Sequence, residues 1–338
     1  MINIVQIHNM LQSKKIIFDE YNIFLVKEPK YRVIMSQTIK DKLINHIVSR
    51  EILLKVFEPK MLKNNIATRT GKGTSYGKKM LKKYINKIKL ENKKIYYLKC
   101  DIKKYFYNID HSVLKQILKN NIKDKDALDI LSKIIELSNS KKTNDIIKKK
   151  CNEEIQKNIK NETTTRNKEL IEIKKSLNNS KGIPIGNMTS QAFAIIYLNE
   201  FDHYIKEKLH AKYYMRYMDD FVILSTEKTY LKNILKEIKE KLKTEYKLEL
   251  NPKTTIGTLK NGLDFLGHVY ILKENKLYIK IRNRVKKNFK RKLKKINKLY
   301  LEGKVNIQTI NSVKASYKGI CKEGNGYYLY YNTVKNSK

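Results

Sequence analysis

Three acidic side chains stand out in a chain crowded with bases. Asp101 follows the strand-forming run Ile95-Tyr96-Tyr97-Leu98, and Asp219-Asp220 sits between Tyr213-Tyr214-Met215-Arg216-Tyr217-Met218 and Phe221-Val222-Ile223-Leu224. Two β-rich arms around an acidic pair read as a hairpin with the carboxylates at its tip. Taken alone, Asp219-Asp220 reads equally well as an ordinary turn, where Asp is favoured, and Asp101 as a capping or strand-ending residue. If the three converge, they offer hard oxygen ligands to two divalent ions about 3.5–4 Å apart. That arrangement neutralises the attacking and leaving oxygens of phosphoryl transfer. Burying carboxylates in an apolar hairpin is costly unless cations compensate them.

A second stretch, Gly182-Ile183-Pro184-Ile185-Gly186-Asn187-Met188-Thr189-Ser190-Gln191, puts a tight Gly/Pro loop ahead of a helix, with Thr189 or Ser190 as the expected N-cap. Such a backbone can approach a base or template closely, although an ordinary loop and cap use the same residues. Thr70-Gly71-Lys72-Gly73-Thr74 lacks P-loop spacing and reads as a solvated turn near a nucleic-acid backbone.

The elements that must position these residues follow from periodicity. Ala194, Leu198, Phe201, Ile205 and Leu209 lie at helical period, as do Leu231, Ile234, Leu235, Ile238 and Leu242. Leu248 to Leu250 and Leu263 to Tyr270 read as further strands. Val285, Phe289, Leu293 and Ile296 form one apolar stripe on a helix otherwise covered by Lys and Arg, which predicts a separate basic helical unit. Residues Asn139 to Lys181 are polar and Lys-rich, and read as an inserted, partly helical or disordered excursion. Strands interleaved with helices around one carboxylate cluster indicate an α+β, palm-like core.

Bulk composition agrees with this chemistry. Among 338 residues, 73 Lys and Arg face 33 Asp and Glu, a formal net charge of +40. That excess repels itself unless a polyanion is present, so nucleic acid is the expected partner. An anionic membrane surface is the rival, but no apolar stretch approaches the roughly 20 residues needed to span a bilayer. The N-terminus has no basic segment followed by an apolar one, so secretion is not expected. Cys100, Cys151 and Cys321 are isolated, which argues against disulfides and structural zinc and for a reducing, cytoplasmic setting. The 23 Tyr and 9 Phe suit base stacking, although core packing alone would use most of them.

In their order along the chain, these motifs resemble those of the reverse transcriptases. Asp101-Ile102-Lys103-Lys104-Tyr105-Phe106, with Asn108-Ile109-Asp110-His111, is similar to the family's first catalytic motif. Gly182 to Gln191 resembles the second and Tyr217-Met218-Asp219-Asp220 the third. Leu250-Asn251-Pro252-Lys253-Thr254 resembles the fourth, and Leu263-Asp264-Phe265-Leu266-Gly267 the primer-grip hairpin. Upstream, Arg32-Val33-Ile34 and Ile39 to His46 look like fingers motifs. The resemblance implies a right-hand polymerase of α+β class, with an antiparallel-sheet palm packed on helices. Fingers would occupy 1–95, the first palm strand 96–111, and fingers and palm helices 112–181 with the insertion at about 139–181. The catalytic hairpin and primer grip would fall within a palm segment at 182–272, and a basic helical thumb at 273–338.

The same resemblance implies roles. Asp101 and Asp219 would hold two Mg²⁺ ions (Mn²⁺ as a substitute) with the Ile102 carbonyl, and Asp220 would support them. Phe106 would sit under the sugar and exclude a 2′-hydroxyl. Arg32 would contact the triphosphate of a dNTP, Ile185, Gly186 and Gln191 would flank the nascent pair, and Lys253 would protonate pyrophosphate. Tyr217, Met218, Phe265, Leu266 and Gly267 would meet the template RNA and the primer or cDNA strand. Most of the family has Gln where Ile185 stands and Ser-Pro where the second motif here ends Ser190-Gln191. The present form resembles the enzymes of bacterial diversity-generating retroelements, which implies error-prone copying of a dedicated RNA, mutagenic retrohoming and an accessory oligomeric variability protein. The alternatives are an antiphage-defence enzyme copying a noncoding RNA, or an inactive RNA-binding, maturase-like protein. No RNase H, endonuclease or protease unit is evident, so such steps are expected of partners.

Overall fold

Short apolar runs near the N-terminus resolve into a helix, a hairpin and a helical connector. The computed structural model describes residues 4–335 except 14, 28, 29, 92, 162, 163 and 325; residues 1–3 and 336–338 of the expected first and last units therefore lie outside the described residues. Helix α1 spans Ile4–Gln12, and β1 (Asn22–Val26) pairs antiparallel with β2 (Arg32–Ser36). Helix α2 (Ile39–Ile47) starts where the Thr38 side chain accepts from the Asp41 N–H, satisfying an orphan donor of the helix start. A π-helical turn over Val48–Leu54 leads into α3 (Lys55–Phe57). Helix α4 (Thr74–Lys89) follows the glycine-rich turn and buries Gly77, Leu81, Ile85 and Ile88 along one face.

Strand β3 (Tyr96–Asp101) carries the first carboxylate at its end and is followed by α5 (Tyr105–Asn108), α6 (His111–Asn121) and α7 (Lys125–Leu137). Asp110 and Asp124 cap α6 and α7, each accepting from two backbone N–H groups. The polar stretch after α7, expected to be partly helical or disordered, is helical over most of its length. It forms α8 (Lys141–Lys160) and α9 (Asn167–Ser176). Their few apolar side chains share a face, and Ile147, Cys151, Leu170 and Ile173 are buried with Tyr21, Ile23, Val33 and Met35 of the β1–β2 region. Each fully buried aliphatic residue of this kind contributes about 1.5–3 kcal/mol, which holds the pair in place despite its polar exterior.

The single helix expected after Gly186 is broken. Helix α10 (Met188–Tyr197) and α11 (Asn199–His203) meet at Leu198, where φ is −107° and ψ 18°, and a π-helical turn covers Tyr204–Lys208. Ala194, Leu198, Phe201, Ile205 and Leu209 are nonetheless all buried. The cap residue is Asn187, not Thr189 or Ser190; both of those are buried in the first turn, and the Thr189 hydroxyl bonds Asn45 Oδ1. Strands β4 (Tyr213–Tyr217) and β5 (Asp220–Ser225) form the expected hairpin, and α12 (Lys228–Thr244) buries Leu231, Ile234, Ile238 and Leu242. Leu248–Leu250 is not a strand: only Leu250 bridges Ile102, and the strand is β6 (Thr255–Thr258) further on. The sheet order is β4-β5-β3-β6, with β3 antiparallel to both neighbours.

Successive residues of a strand point to opposite faces, and here both faces are covered. Leu98, Cys100, Phe221 and Ile223 join the large core with α6, α10 and α12, whereas Tyr97, Val222 and Leu224 join a second core with α4. Strands β7 (Leu263–Phe265), β8 (His268–Lys273) and β9 (Lys276–Ile281) complete that second core from a separate three-stranded sheet. The run 263–270, read as strand and by its resemblance as a hairpin, turns at Leu266 and Gly267, both with positive φ, and β8–β9 pair across the expected 272/273 boundary. Helices α13 (Asn283–Leu301), α14 (Ile307–Lys322) and α15 (Tyr327–Lys335) share a small core of their own around Phe289, Leu293 and Ile310. The Phe289 ring stacks on Tyr317 at 4.2 Å and on Tyr330 at 6.0 Å between centroids.

Candidate active site

The β3–β5 pairing sets Asp101 directly opposite Asp220. Cross-strand partners share a face of the sheet, with Cβ atoms about 4.5–5.5 Å apart. Asp219 occupies the turn beside them, and its carbonyl accepts from the Ile102 N–H at 3.1 Å. On the other side, the Asn251 N–H donates to the Asp101 carbonyl at 2.7 Å. The three predicted carboxylates therefore come together at one end of the central sheet.

Burial dominates their electrostatics and disfavours the charged forms. Burial pushes Asp219 up to about 6 and nearby Asp101 adds to this, while its own backbone N–H, Arg216 and Arg32 oppose it. Burial also pushes Asp220 up to about 7, against Lys99 and with help from Asp101 and Asp219. Burial raises Asp101 above the usual carboxylate range despite a side-chain hydrogen bond from Asn251 and the charges of Lys99 and Lys253. Lys99 Nζ lies 3.6 Å from Asp220 Oδ2, whereas Asp220 Oδ1 is buried without a hydrogen-bond partner. An all-oxygen donor set with an orphaned carboxylate oxygen fits a hard divalent cation. Among the described residues no group of three or more His, Cys, Asp or Glu side chains is placed to hold a metal ion by itself.

Sequence reasoning missed what holds the hairpin. Met218 takes φ 56° in the turn, a left-handed conformation that a residue with a Cβ adopts at a cost. Arg216, fully buried two residues earlier, donates from Nη1 to the Met218 carbonyl at 3.0 Å. Its guanidinium also makes two bonds to buried Asp202, and Asp202 Oδ1 accepts a further one from the Tyr214 hydroxyl. Sequence offered one clue, a charged residue inside an otherwise apolar strand, which must find a partner if it is buried. Lys99 was missed for lack of any comparable local signal, and Asn251 was noted only as part of the fourth motif, not as a partner of Asp101.

The nucleotide-facing candidates gather around the 182–186 loop. The Ile183 N–H donates to the Phe106 carbonyl at 2.8 Å, and Gly182 N–H to the Ile109 carbonyl at 2.7 Å. Gly182 has φ 94°, and a Cβ there would sit 3.1 Å from the Tyr107 carbonyl oxygen, so the close approach requires glycine. The Gly182 carbonyl in turn accepts from His111 Nε2 at 2.7 Å and from Asn139. Ile185 bridges Ile34 of β2, which brings the loop alongside Arg32; Phe106 and Ile185 are half-buried and Arg32 and Gly186 exposed.

The remaining candidates divide. Lys253 is exposed, and its charge reaches Asp101. Tyr217 and Met218 are half-buried at the hairpin tip, and Leu266 and Gly267 form the β7–β8 turn. Phe265 is fully buried in the second core, so its ring supports that turn instead of facing a strand, a correction to the sequence expectation. Gln191 is exposed on α10, in a small cleft with Ser49, Leu54 and Thr68; no described contact brings it to the carboxylates.

The model of the reverse transcriptase (RNA-dependent DNA polymerase) family matches residues 25–270. The chain belongs to that family. Its sequence is 26% identical over 208 residues to a Saccharomyces cerevisiae protein named as a putative COX1/OXI3 intron 2 protein, a match that covers 51% of this chain and 23% of the yeast one. Among solved structures, apo telomerase from Candida tropicalis superposes with TM-score 0.52 at 14% identity, covering 98% of this chain and 62% of that one. Telomerase from Candida albicans in complex with a TWJ fragment of telomeric RNA gives TM-score 0.50 at 15% identity, covering 96% and 56%. The chain thus spans about a quarter of the yeast relative and less than two thirds of each telomerase chain. At such identities the telomerases share the fold, and the expected α+β right-hand polymerase architecture is the one observed. No helix among the described residues is long and apolar enough to cross a membrane.

Proposed function

We propose that the chain is an RNA-directed DNA polymerase, and the juxtaposition of Asp101 with Asp219 and Asp220 carries that reading. Asp101, Asp219 and the Ile102 carbonyl are the proposed ligands of two Mg²⁺ ions, for which Mn²⁺ would substitute, with Asp220 alongside. Bound there, the ions would neutralise charge on the attacking 3′-oxygen, the phosphate and the pyrophosphate oxygen. Arg32 binds the triphosphate, Phe106 lies beneath the sugar and rejects a 2′-hydroxyl, and Lys253 protonates the departing pyrophosphate. Ile185 and Gly186 flank the nascent pair with Gln191 behind them, while Tyr217, Met218, Leu266 and Gly267 meet the primer and template. In this reading residues 1–95 serve as fingers and 273–338 as thumb.

The formal charge of +40 supports a polyanionic substrate, and the telomerase solved with a TWJ fragment of telomeric RNA is in keeping with an RNA partner. Primer extension on an RNA template tests the proposal. Incorporation of dNTPs over rNTPs that disappears in Asp219→Asn is expected; synthesis undiminished by that substitution would sink it.

The finer reading is an error-prone enzyme of a bacterial diversity-generating retroelement, copying a dedicated RNA with an accessory variability protein. Ile185 supports it, because an aliphatic side chain cannot donate an amide's hydrogen bonds to the nascent pair. A defence enzyme copying a noncoding RNA uses the same site, and sequencing of the cDNA made in cells separates the two. The yeast relative's name favours a second reading, an RNA-binding protein that assists an intron. Tight RNA affinity with no incorporation on any template or metal would select it.

A further inference from the structure

The turn between β7 and β8 is held from two sides by elements far apart in sequence. On one side stands the start of α4. Gly77, buried in that helix, lies so close to the turn that a Cβ there would sit 2.6 Å from Leu266 Cδ1, and 2.2 Å from Ile66 Cδ1. Glycine is disfavoured in a helix interior, and the close approach of helix and turn accounts for it here. On the other side is the end of α14. Gly324 packs on the buried ring of His268, the first residue of β8, and a Cβ there would sit 2.9 Å from His268 Cδ2.

One side chain joins these two supports. Glu323, at the C-terminal end of α14, accepts from the Ser75 hydroxyl at 2.6 Å with Oε1 and from the Lys78 ammonium with Oε2. Lys78 and Ser75 together hold its carboxyl below the usual range. Helix dipoles explain the direction of the link. A negative charge at its C-terminus is unfavourable for α14, whereas the N-terminus of α4 attracts one and has no acidic residue in its own first turn. The carboxylate thus gains from α4 what it loses on the helix that carries it. Lys78 is only 14% exposed, so water screens this pair less than it screens an open surface bridge.

We infer that Glu323 is a positioning residue for the primer strand: by fastening the end of α14 to the start of α4, it fixes the β7–β8 turn between them. The inference rests on the reading of Leu266 and Gly267 as primer contacts. Glu323 acts through the turn. A turn already in place offers the primer end to the carboxylates of β3 and β5 without being ordered at each binding event, which removes that cost from primer binding. The nucleotide-facing candidates, Arg32 and the 182–186 loop, belong to other elements and do not depend on the clasp.

Primer KM, dNTP KM and the addition rate at saturating primer, measured for Glu323→Gln on an RNA template, test the clasp. Primer KM should rise about fivefold, the effect of losing one partly buried ion pair, while dNTP KM and the addition rate stay at wild-type values. K78E should raise primer KM at least as much, and the charge swap K78E/E323K should recover most of the loss. A general loss of folded protein would instead lower the rate and would not be reversed by the swap. Hydrogen exchange of the free chain, read at the Leu266 to Tyr270 amides, should quicken in Glu323→Gln. Exchange and primer KM both equal to wild type overturn the clasp, and so does a primer KM that rises in Leu266→Ala but not in Glu323→Gln. A primer KM unchanged in both variants, beside faster exchange in Glu323→Gln, overturns the reading of the turn as a primer contact and not the clasp that holds it.

Discussion

Arg216 and Asp202 form a fully buried, two-pronged ion pair directly beneath the turn that bears Asp219. The pair links α11 to β4, and through Arg216 Nη1 it reaches the Met218 carbonyl. The catalytic candidates thus stand on a charge pair that never meets solvent.

Removing one member of such a pair leaves an uncompensated charge in the core, a loss of about 3–5 kcal/mol. Asp202→Asn keeps the shape and removes the charge, and should lower the urea midpoint by a corresponding amount. A midpoint within error of wild type would mean that the pair contributes nothing to the folded state.

Asp101→Asn and Asp219→Asn should each reduce nucleotide addition by about a thousandfold or more, since about 4 kcal/mol of transition-state stabilisation corresponds to that factor. Affinity for the template–primer should be retained, because the bases supply it. Single-turnover extension, with binding measured separately, checks both halves.

Burial holds His111 below the ordinary histidine pKa, and Lys115 adds to that effect, while the Gly182 carbonyl, Asp110 and Glu136 oppose it. The unfolded ring gains its proton near the ordinary value of about 6.5, and the folded ring only at lower pH. Its contribution to stability is therefore complete above about 6.5 and is lost as pH falls through the folded pKa. Melting temperatures from pH 7.5 to 5 should fall less steeply in His111→Gln than in wild type. Parallel slopes would refute the effect.

On the proposed reading, in which Ile185 flanks the nascent pair, Ile185→Gln should place an amide there and reduce misincorporation. One added hydrogen bond at about 1–1.5 kcal/mol corresponds to roughly tenfold. Sequenced extension products give the ratio, and an unchanged spectrum would show that Ile185 does not set fidelity.

The parts of the site that were legible in the sequence are those encoded locally. Tyr213 to Leu224 announces a hairpin because its arms are strand formers and its tip is acidic, and Ile95 to Asp101 announces a strand in the same way. The packing partner of the α8–α9 pair was hidden because Ile147, Cys151, Leu170 and Ile173 are sparse among Lys and Asn, and the hairpin they bury lies more than a hundred residues upstream. The cap of α10 was misassigned because Asn187, Thr189 and Ser190 are all good cap formers, and only the backbone chooses among them. β6 escaped notice as a four-residue edge strand containing Gly257, which packs under the Tyr97 ring, so its signal is weak until β3 is there to pair with it.

The alignment of Asp101 with Asp220 across β3 and β5 has a consequence for how this chain can vary. A strand side chain changes face with every residue gained or lost. One residue inserted between Tyr96 and Asp101 would send the first carboxylate to the opposite face of the sheet, among Leu98, Cys100 and Phe221, however conservative the insertion. Substitution of a neighbour such as Ile185 leaves that register untouched, but the lengths of the two arms are fixed to the single residue.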